Sequence, residues 1–190
     1  MCIRDRGIGL LSNYKNMMTM ELKNEGNYLF VVGKTEGHLD QSIFARNILS
    51  EFNGPPPEVN LFNEKQNGMS VLNLKNKKLI ETCHDVSLGG ILTAIAKMGI
   101  KSGKGVKLFP LEGLVNKFEY FFGEDQGRYI IEIKPKNLEN VENMLKNDSI
   151  HFDKLGLVEG DKITLENDLK LSIDDIKEGY KNWLKEYMVN

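Results

Sequence analysis

Residues 78–90 read Lys78-Leu79-Ile80-Glu81-Thr82-Cys83-His84-Asp85-Val86-Ser87-Leu88-Gly89-Gly90. The segment Lys78–Thr82 is apolar-rich and of strand length. Beyond the two glycines, Ile91, Ala94, Ile95 and Met98 recur at helical spacing and form one apolar face. A strand that turns through Gly-Gly into a helix brings His84, Asp85 and Ser87 to the mouth of that turn. The glycines permit positive φ and close backbone approach. The free N–H groups at the helix start face the turn, where an anion would be favoured. Two readings fit: a ligand-facing corner, or a helix capped by Ser87 beside a local His84–Asp85 hydrogen bond. Cys83 and His84 point to opposite faces of a strand, so they do not share a site, and Cys83 reads as core.

Outward from this stretch, strands and helices alternate. Tyr28–Val32 is a buried strand closed by Gly33. The loop Gly33-Lys34-Thr35-Glu36-Gly37-His38 follows, then an expected helix from about Leu39 to Phe52, with Ile43, Ala45, Ile48, Leu49 and Phe52 as its apolar positions. This loop is neither a P-loop nor a dinucleotide fingerprint. Pro55-Pro56-Pro57 is an extended spacer, and Asn60 caps a helix from Leu61 to about Lys75. Lys107-Leu108-Phe109 is a short strand ended by Pro110.

Phe118–Phe122 and Tyr129–Ile133 read as the two strands of a hairpin, with Gly123-Glu124-Asp125-Gln126-Gly127-Arg128 at its tip. That tip is either a solvated turn or a polar cluster aimed at a ligand, with carboxylates suited to Mg²⁺. Asn137 is placed to cap a helix carrying Leu138, Val141, Met144 and Leu145. Leu155–Val158 and Ile163–Leu165 are further strands. Ser172 opens a last helix whose stripe, Ile176, Tyr180, Trp183, Leu184 and Tyr187, reads as core. The expected fold is α/β (α+β): a layered mixed β-sheet with flanking helices.

Composition narrows the function classes. The chain has 190 residues, 41% hydrophobic and 27% charged, with a net charge of −2. These are globular values, enough for one domain with part of a neighbour. The charge balance gives no reason to expect nucleic acid or an anionic membrane as partner. Two distant cysteines form neither a disulfide framework nor a zinc spacing, which favours a reducing cytoplasm. No apolar run approaches a membrane span, and Met1–Arg6 lacks the apolar core of a secretory signal.

Three junctions together carry a resemblance. Val31-Val32-Gly33-Lys34-Thr35-Glu36-Gly37-His38-Leu39-Asp40-Gln41-Ser42 resembles the "GxTxGHLGQS" loop of phosphoribosylformylglycinamidine synthase, synthetase subunit. Cys83–Gly90 is similar to that family's "HDxSDGGL" turn, and Phe122–Tyr129 to its "FGEDQGRY" segment. The likeness runs from about Gly7 to the end. Pro55-Pro56-Pro57 and the Trp183 helix also fall where the family has them. Two positions depart from the family pattern: Asp40 stands where Gly is usual, and Leu88 where Asp is usual.

The resemblance implies an AIR-synthase-like C-terminal domain over residues 28–190. Residues 1–27 would be the tail of a preceding domain, and residues 1–6 match nothing. It implies an ATP- and Mg²⁺-dependent ligase that converts formylglycinamide ribonucleotide to the amidine with ammonia from a glutaminase. The implied partners are upstream synthetase domains, a glutaminase subunit and a small accessory subunit. The candidate ligand-binding residues are Thr35, Gly37, His38, His84, Asp85, Ser87, Gly89, Gly90, Gln126 and Arg128. Glu124 and Asp125 are the candidate metal ligands, and no residue stands out as catalytic. The alternatives are a non-catalytic docking scaffold or a related aminoimidazole ribonucleotide synthetase. His38, His84 and Arg128 all sit in glycine-bounded turns at strand ends, so the three are expected to converge, with their turns at one end of the sheet.

Overall fold

The structure, a computed structural model, describes residues 9–11, 13–110, 116–166 and 168–189. Among these residues, seven strands form one sheet in the order β2-β4-β1-β5-β3-β6-β7. They are β1 (Tyr28–Val32), β2 (Thr82–Asp85), β3 (Val106–Leu108), β4 (Tyr129–Ile133), β5 (Phe152–Val158), β6 (Lys162–Leu165) and β7 (Leu169–Ser172). Neighbours are antiparallel except β3 and β6, which run parallel. The sheet is therefore mixed and layered, as expected.

Among the described residues, five α-helices flank it: α1 (Leu61–Asn76), α2 (Gly90–Ser102), α3 (Lys117–Phe122), α4 (Leu138–Asn147) and α5 (Ile173–Val189). Strand alternation sorts β1 between two cores. Leu29 and Val31 join Ile91, Ile95 and Met98 of α2. Phe30 and Val32 join Val71 and Leu74 of α1 and Val141 and Leu145 of α4. Both faces of the central strands are thus covered, and β1 reads as a continuous apolar run for that reason. Residues before β1 are tied to the same body. Leu22 is buried, and the Glu132 carboxylate accepts the N–H groups of Lys23 and Asn24 and the Asn27 amide.

Several expectations change. Phe118–Phe122 is helix α3, not a strand. Asn116 caps it by accepting the Phe118 N–H at 2.9 Å. A five-residue aromatic run satisfies either period, and the cap decides. There is no hairpin here: β4 lies between β2 and β1. The helix expected over 39–52 shrinks to a π-type turn, Ala45–Leu49, and Ile48 and Phe52 stay exposed. Asn137 does not cap α4 with its side chain, which instead donates to the Leu79 carbonyl. Among the described side chains, which do not include that of Leu184, the stripe of α5 is core at its start. Ile173 is buried and Ile176 packs on the core, whereas Tyr180, Trp183 and Tyr187 are exposed. Strand β7 is an addition. Asn60 does cap α1, accepting the Asn63 N–H at 3.0 Å. Of the expected upstream tail, residues 1–8 and Ser12 lie outside the described residues.

Candidate functional site

Register fixes where the three glycine turns lie. Val32 at the end of β1 pairs with Tyr129 at the start of β4, and Tyr129 pairs with Asp85 at the end of β2. The turns 33–38, 86–90 and 123–128 therefore emerge at one end of three adjacent strands. The strand ends and turns that carry His38, His84 and Arg128 thus lie together, as convergence of the three residues requires.

Asp125 joins the first turn to the third. Its carboxylate accepts the backbone N–H groups of Glu36 (3.1 Å), Gly37 (3.0 Å) and His38 (3.1 Å). The Arg128 guanidinium stands behind it, its Nη1 3.4 Å from Asp125 Oδ2. Arg128 also donates through Nε to the Asp125 carbonyl, through Nη1 to Thr35 Oγ1 and through Nη2 to the Gly123 carbonyl. Its side chain has no solvent exposure. Desolvation pulls the Arg128 pKa down and the Asp125 charge opposes this, so the ion pair keeps the guanidinium charged in the interior.

Glu124 joins the second turn to the same loop. Its Oε1 accepts the N–H of Gly89, at the start of α2, at 2.9 Å and that of Ile43 at 2.8 Å. Its own N–H donates to the His38 carbonyl at 2.9 Å. The anion expected at the α2 N-terminus is thus an internal carboxylate. Ser87 does not cap this helix with its side chain; Gly89 is the capping residue. Gly90 is needed for fit as well as for φ +70°: a Cβ there would lie 2.5 Å from the Phe121 carbonyl oxygen.

These contacts redistribute the candidate residues. Asp125 is engaged by three backbone amides and Arg128, a donor set that satisfies a carboxylate without a metal, and Glu124 by two backbone amides at Oε1. Among the described residues, no group of three or more His, Cys, Asp or Glu is placed to hold a metal ion. Both Asp125 oxygens are taken up by backbone amides, which does not fit the Mg²⁺ role expected of it, whereas Glu124 is engaged through Oε1 and lines a hollow beside Asp85 and Ser87. Thr35 and Arg128 are bound to each other, and Gly89 and Gly90 serve the turn.

The residues left facing solvent line a cleft of about 1090 Å³. His38, Gln126 and Gly37 form one wall, with His38 Nε2 3.0 Å from the Pro55 carbonyl oxygen. The triple-proline spacer and the first turns of α1, with Asn60, Asn63 and Gln66, form the other. An adjoining hollow of about 340 Å³ holds Asp85, Ser87 and Glu124 and shares Glu64 and Gln126 with the cleft. His84 lines neither. It packs on the α2 side with Nδ1 3.3 Å from Asp85 Oδ1 and a buried Nε2, and desolvation lowers its pKa. Cys83 lies on the opposite face, against the α1–α4 core. The three turns converge, but the side chains of His38, His84 and Arg128 do not share one cavity. Sequence reasoning missed the amide side chains of α1 and missed His151. The spacing of Asn60, Asn63 and Asn67 along one helix face was the available signal for the first.

Charge limits what the cleft binds. Glu36, Asp40, Glu58, Glu64, Glu119 and Asp148 line it, and Lys34 is paired with Glu36 at 2.6 Å. A phosphate gains nothing from such a wall, whereas hydroxyl and amide groups find partners in it.

Residues 24–166 match the family described as AIR synthase related protein, C-terminal domain. The chain belongs to this family. The phosphoribosylformylglycinamidine synthase subunit PurL of Pelagibacter ubique is 58% identical over 97% of this chain. The PurL of Bartonella bacilliformis is 37% identical over the same share. The chain spans about a quarter of the length of these relatives: 25% in both cases. In fold, it is similar to Thermotoga maritima PurL complexed with FGAR, with a TM-score of 0.71 at 16% identity over 86% of this chain and 30% of that one. It is also similar to the hydrogenase maturation protein HypE of Escherichia coli, with a TM-score of 0.58 at 14% identity over 82% of this chain and 52% of that one. The AIR synthase related C-terminal fold thus serves proteins of different function, and fold alone does not choose between them.

Proposed function

We propose that this chain is the C-terminal part of an ATP-dependent ligase that converts formylglycinamide ribonucleotide to formylglycinamidine ribonucleotide in purine biosynthesis. The observation that carries this reading is the 58% identity to a PurL subunit across nearly the whole chain. The amide oxygen is a poor leaving group. Transfer of the ATP γ-phosphoryl to that oxygen releases ADP. Ammonia then adds at the same carbon, and phosphate leaves with the C–O bond electrons.

In this chain, His38, Gln126, Asn63 and Gln66 offer hydrogen bonds to the neutral polar groups of the ligand, and Asp85 and Ser87 do so from the adjoining hollow. Thr35, Gly37, Gly89, Gly90, Glu124, Asp125 and Arg128 hold those groups in place. The acidic cleft means that cations for phosphate come from outside these residues, from upstream synthetase domains and Mg²⁺ bound there. Such a composite site works by positioning. A glutaminase subunit supplies the ammonia, and a small accessory subunit is a further partner. This fits the T. maritima structure named PurLQS, which this chain is similar to in fold (TM-score 0.68). The setting is the cytoplasm. Residues 1–27 read as the tail of the preceding domain.

The test is the complete synthetase containing these residues, assayed with formylglycinamide ribonucleotide, ATP and ammonia. Equal yields of phosphate and amidine are expected, with no turnover by residues 1–190 alone. Failure of the complete protein to form amidine overturns the reading. A second reading, a non-catalytic scaffold, is favoured by the glycine turns being filled by the chain's own carboxylates. His38→Ala in the complete synthetase separates the two: a scaffold keeps its activity, and a ligand-facing His38 loses it.

A further inference from the structure

We infer that Glu124 is a positioning residue that couples the two ligand-facing turns, setting the Gly37–Ile43 loop against the Gly89 turn. The inference rests on the ligase reading for its effect on activity, but not for the coupling itself.

One oxygen, Glu124 Oε1, receives an N–H from Ile43 at 2.8 Å and from Gly89 at 2.9 Å. These two amides belong to segments that are far apart in sequence. The backbone N–H of Glu124 adds a third tie, to the His38 carbonyl. The loop from His38 to Ser50 carries one π-type turn; Ser42 and Ala45 are buried and Phe44 packs on the rings of Phe118 and Phe122 of α3, while Ile43, Ile48 and Leu49 are exposed. Packing thus seats the loop on α3, and the Glu124 carboxylate ties its Ile43 end to the Gly89 turn through discrete bonds. Charge-assisted bonds of this kind are stronger than neutral ones.

Asp125 differs in what its loss would do. It neutralises a buried arginine, so its removal disturbs the interior. Glu124 is only partly buried, and removing its carboxylate cuts the tie between the loop and the Gly89 turn while leaving both cores intact. His38 sits on the loop, and Ser87 and Asp85 precede Gly89, so Glu124 sets the separation of the two groups of ligand-facing side chains.

The experiment measures amide hydrogen exchange in Glu124→Ala, Glu124→Gln and wild type, together with steady-state kinetics of the same variants in the complete synthetase. In Glu124→Ala, exchange at Ile43 and Gly89 should rise together by about tenfold or more, with amides of β1 and β4 unchanged. The kcat/KM for the ribonucleotide should fall by a comparable factor. Glu124→Gln keeps an oxygen acceptor in the same place and should recover most of both. If Glu124→Ala does not fold, Glu124→Asp replaces it. Its shorter side chain reaches one amide, so one of the two should lose protection and the other keep it. Unchanged exchange at both amides, or an equal rise throughout β1 and β4, overturns the coupling. If the wild-type synthetase forms no amidine, the ligase reading falls, and the exchange data still decide the coupling.

Discussion

Arg128 and Asp125, three residues apart, form a buried ion pair with Nη1 3.4 Å from Oδ2, their side chains 0% and 10% exposed. The pair is also a splice. Asp125 binds three amides of the Gly33–His38 loop, and Arg128 binds the Thr35 hydroxyl of the same loop. Asp125→Ala leaves a buried guanidinium without its counter-charge and three N–H groups without an acceptor. The expected loss is about 3–5 kcal/mol, read from urea unfolding. A loss under about 1 kcal/mol would mean that solvent replaces the carboxylate.

Gly90 and Gly103 both have positive φ, +70° and +71°, but different surroundings. A Cβ at Gly90 meets the Phe121 and Gly123 carbonyl oxygens at 2.5 and 2.8 Å, whereas Gly103 has nothing within 4 Å. Gly103→Ala should cost about 1–2 kcal/mol, the left-handed penalty alone. Gly90→Ala should add a packing penalty of about 1–3 kcal/mol. Thermal melts of the two variants, run side by side, test the difference.

Leu88 departs from the family pattern yet is 61% exposed. Leu88→Asp therefore removes little buried surface. The new charge gains from the start of α2 and is opposed by nearby Asp85 and Glu124. The melt should move by no more than the equivalent of about 0.5 kcal/mol. A loss of many degrees would place Leu88 in the core.

Burial pushes the Cys83 thiol up to about 12. The thiolate is the reactive form. In a Cys2→Ser background, an aromatic disulfide reagent near neutral pH should modify Cys83 at least about a hundredfold more slowly than a free thiol, until the protein unfolds. Rapid labelling of the folded chain would contradict this.

His84 is held neutral, chiefly by desolvation and also by Lys97, against the attraction of Asp85. Its folded pKa lies below its unfolded value, so the unfolded state binds more protons between the two. Stability from this residue is full above the unfolded pKa, near 6.5, and declines as pH falls from there toward the folded pKa. Urea midpoints measured from about pH 7.5 to about pH 5 should fall more steeply in wild type than in His84→Gln. Parallel profiles would mean that His84 titrates as a free imidazole.

Much was legible in the residues themselves. The β1 run, the Asn60 cap and the Ile91–Met98 face identify their elements because backbone periodicity and capping act over a few neighbouring residues. The three glycine motifs also mark where the chain turns, and the family to which it belongs. The Phe118–Phe122 run and the 39–52 segment were misread, because a short apolar run satisfies both periods and an apolar spacing does not require burial. Side-chain roles lay beyond reach for a different reason. Glu124, Asp125 and Arg128 look like a ligand cluster in sequence, and the fold buries Asp125 and Arg128 as a pair and sets the two carboxylates onto the amides of two distant loops. His84 and His38 fall on different sides of the sheet end through strand pairing. The sequence by itself determined which local elements form and which turns exist. The tertiary structure alone decided which polar groups satisfy one another and which stay open to a ligand, because hydrogen-bond partners are set by proximity in space and not by order along the chain.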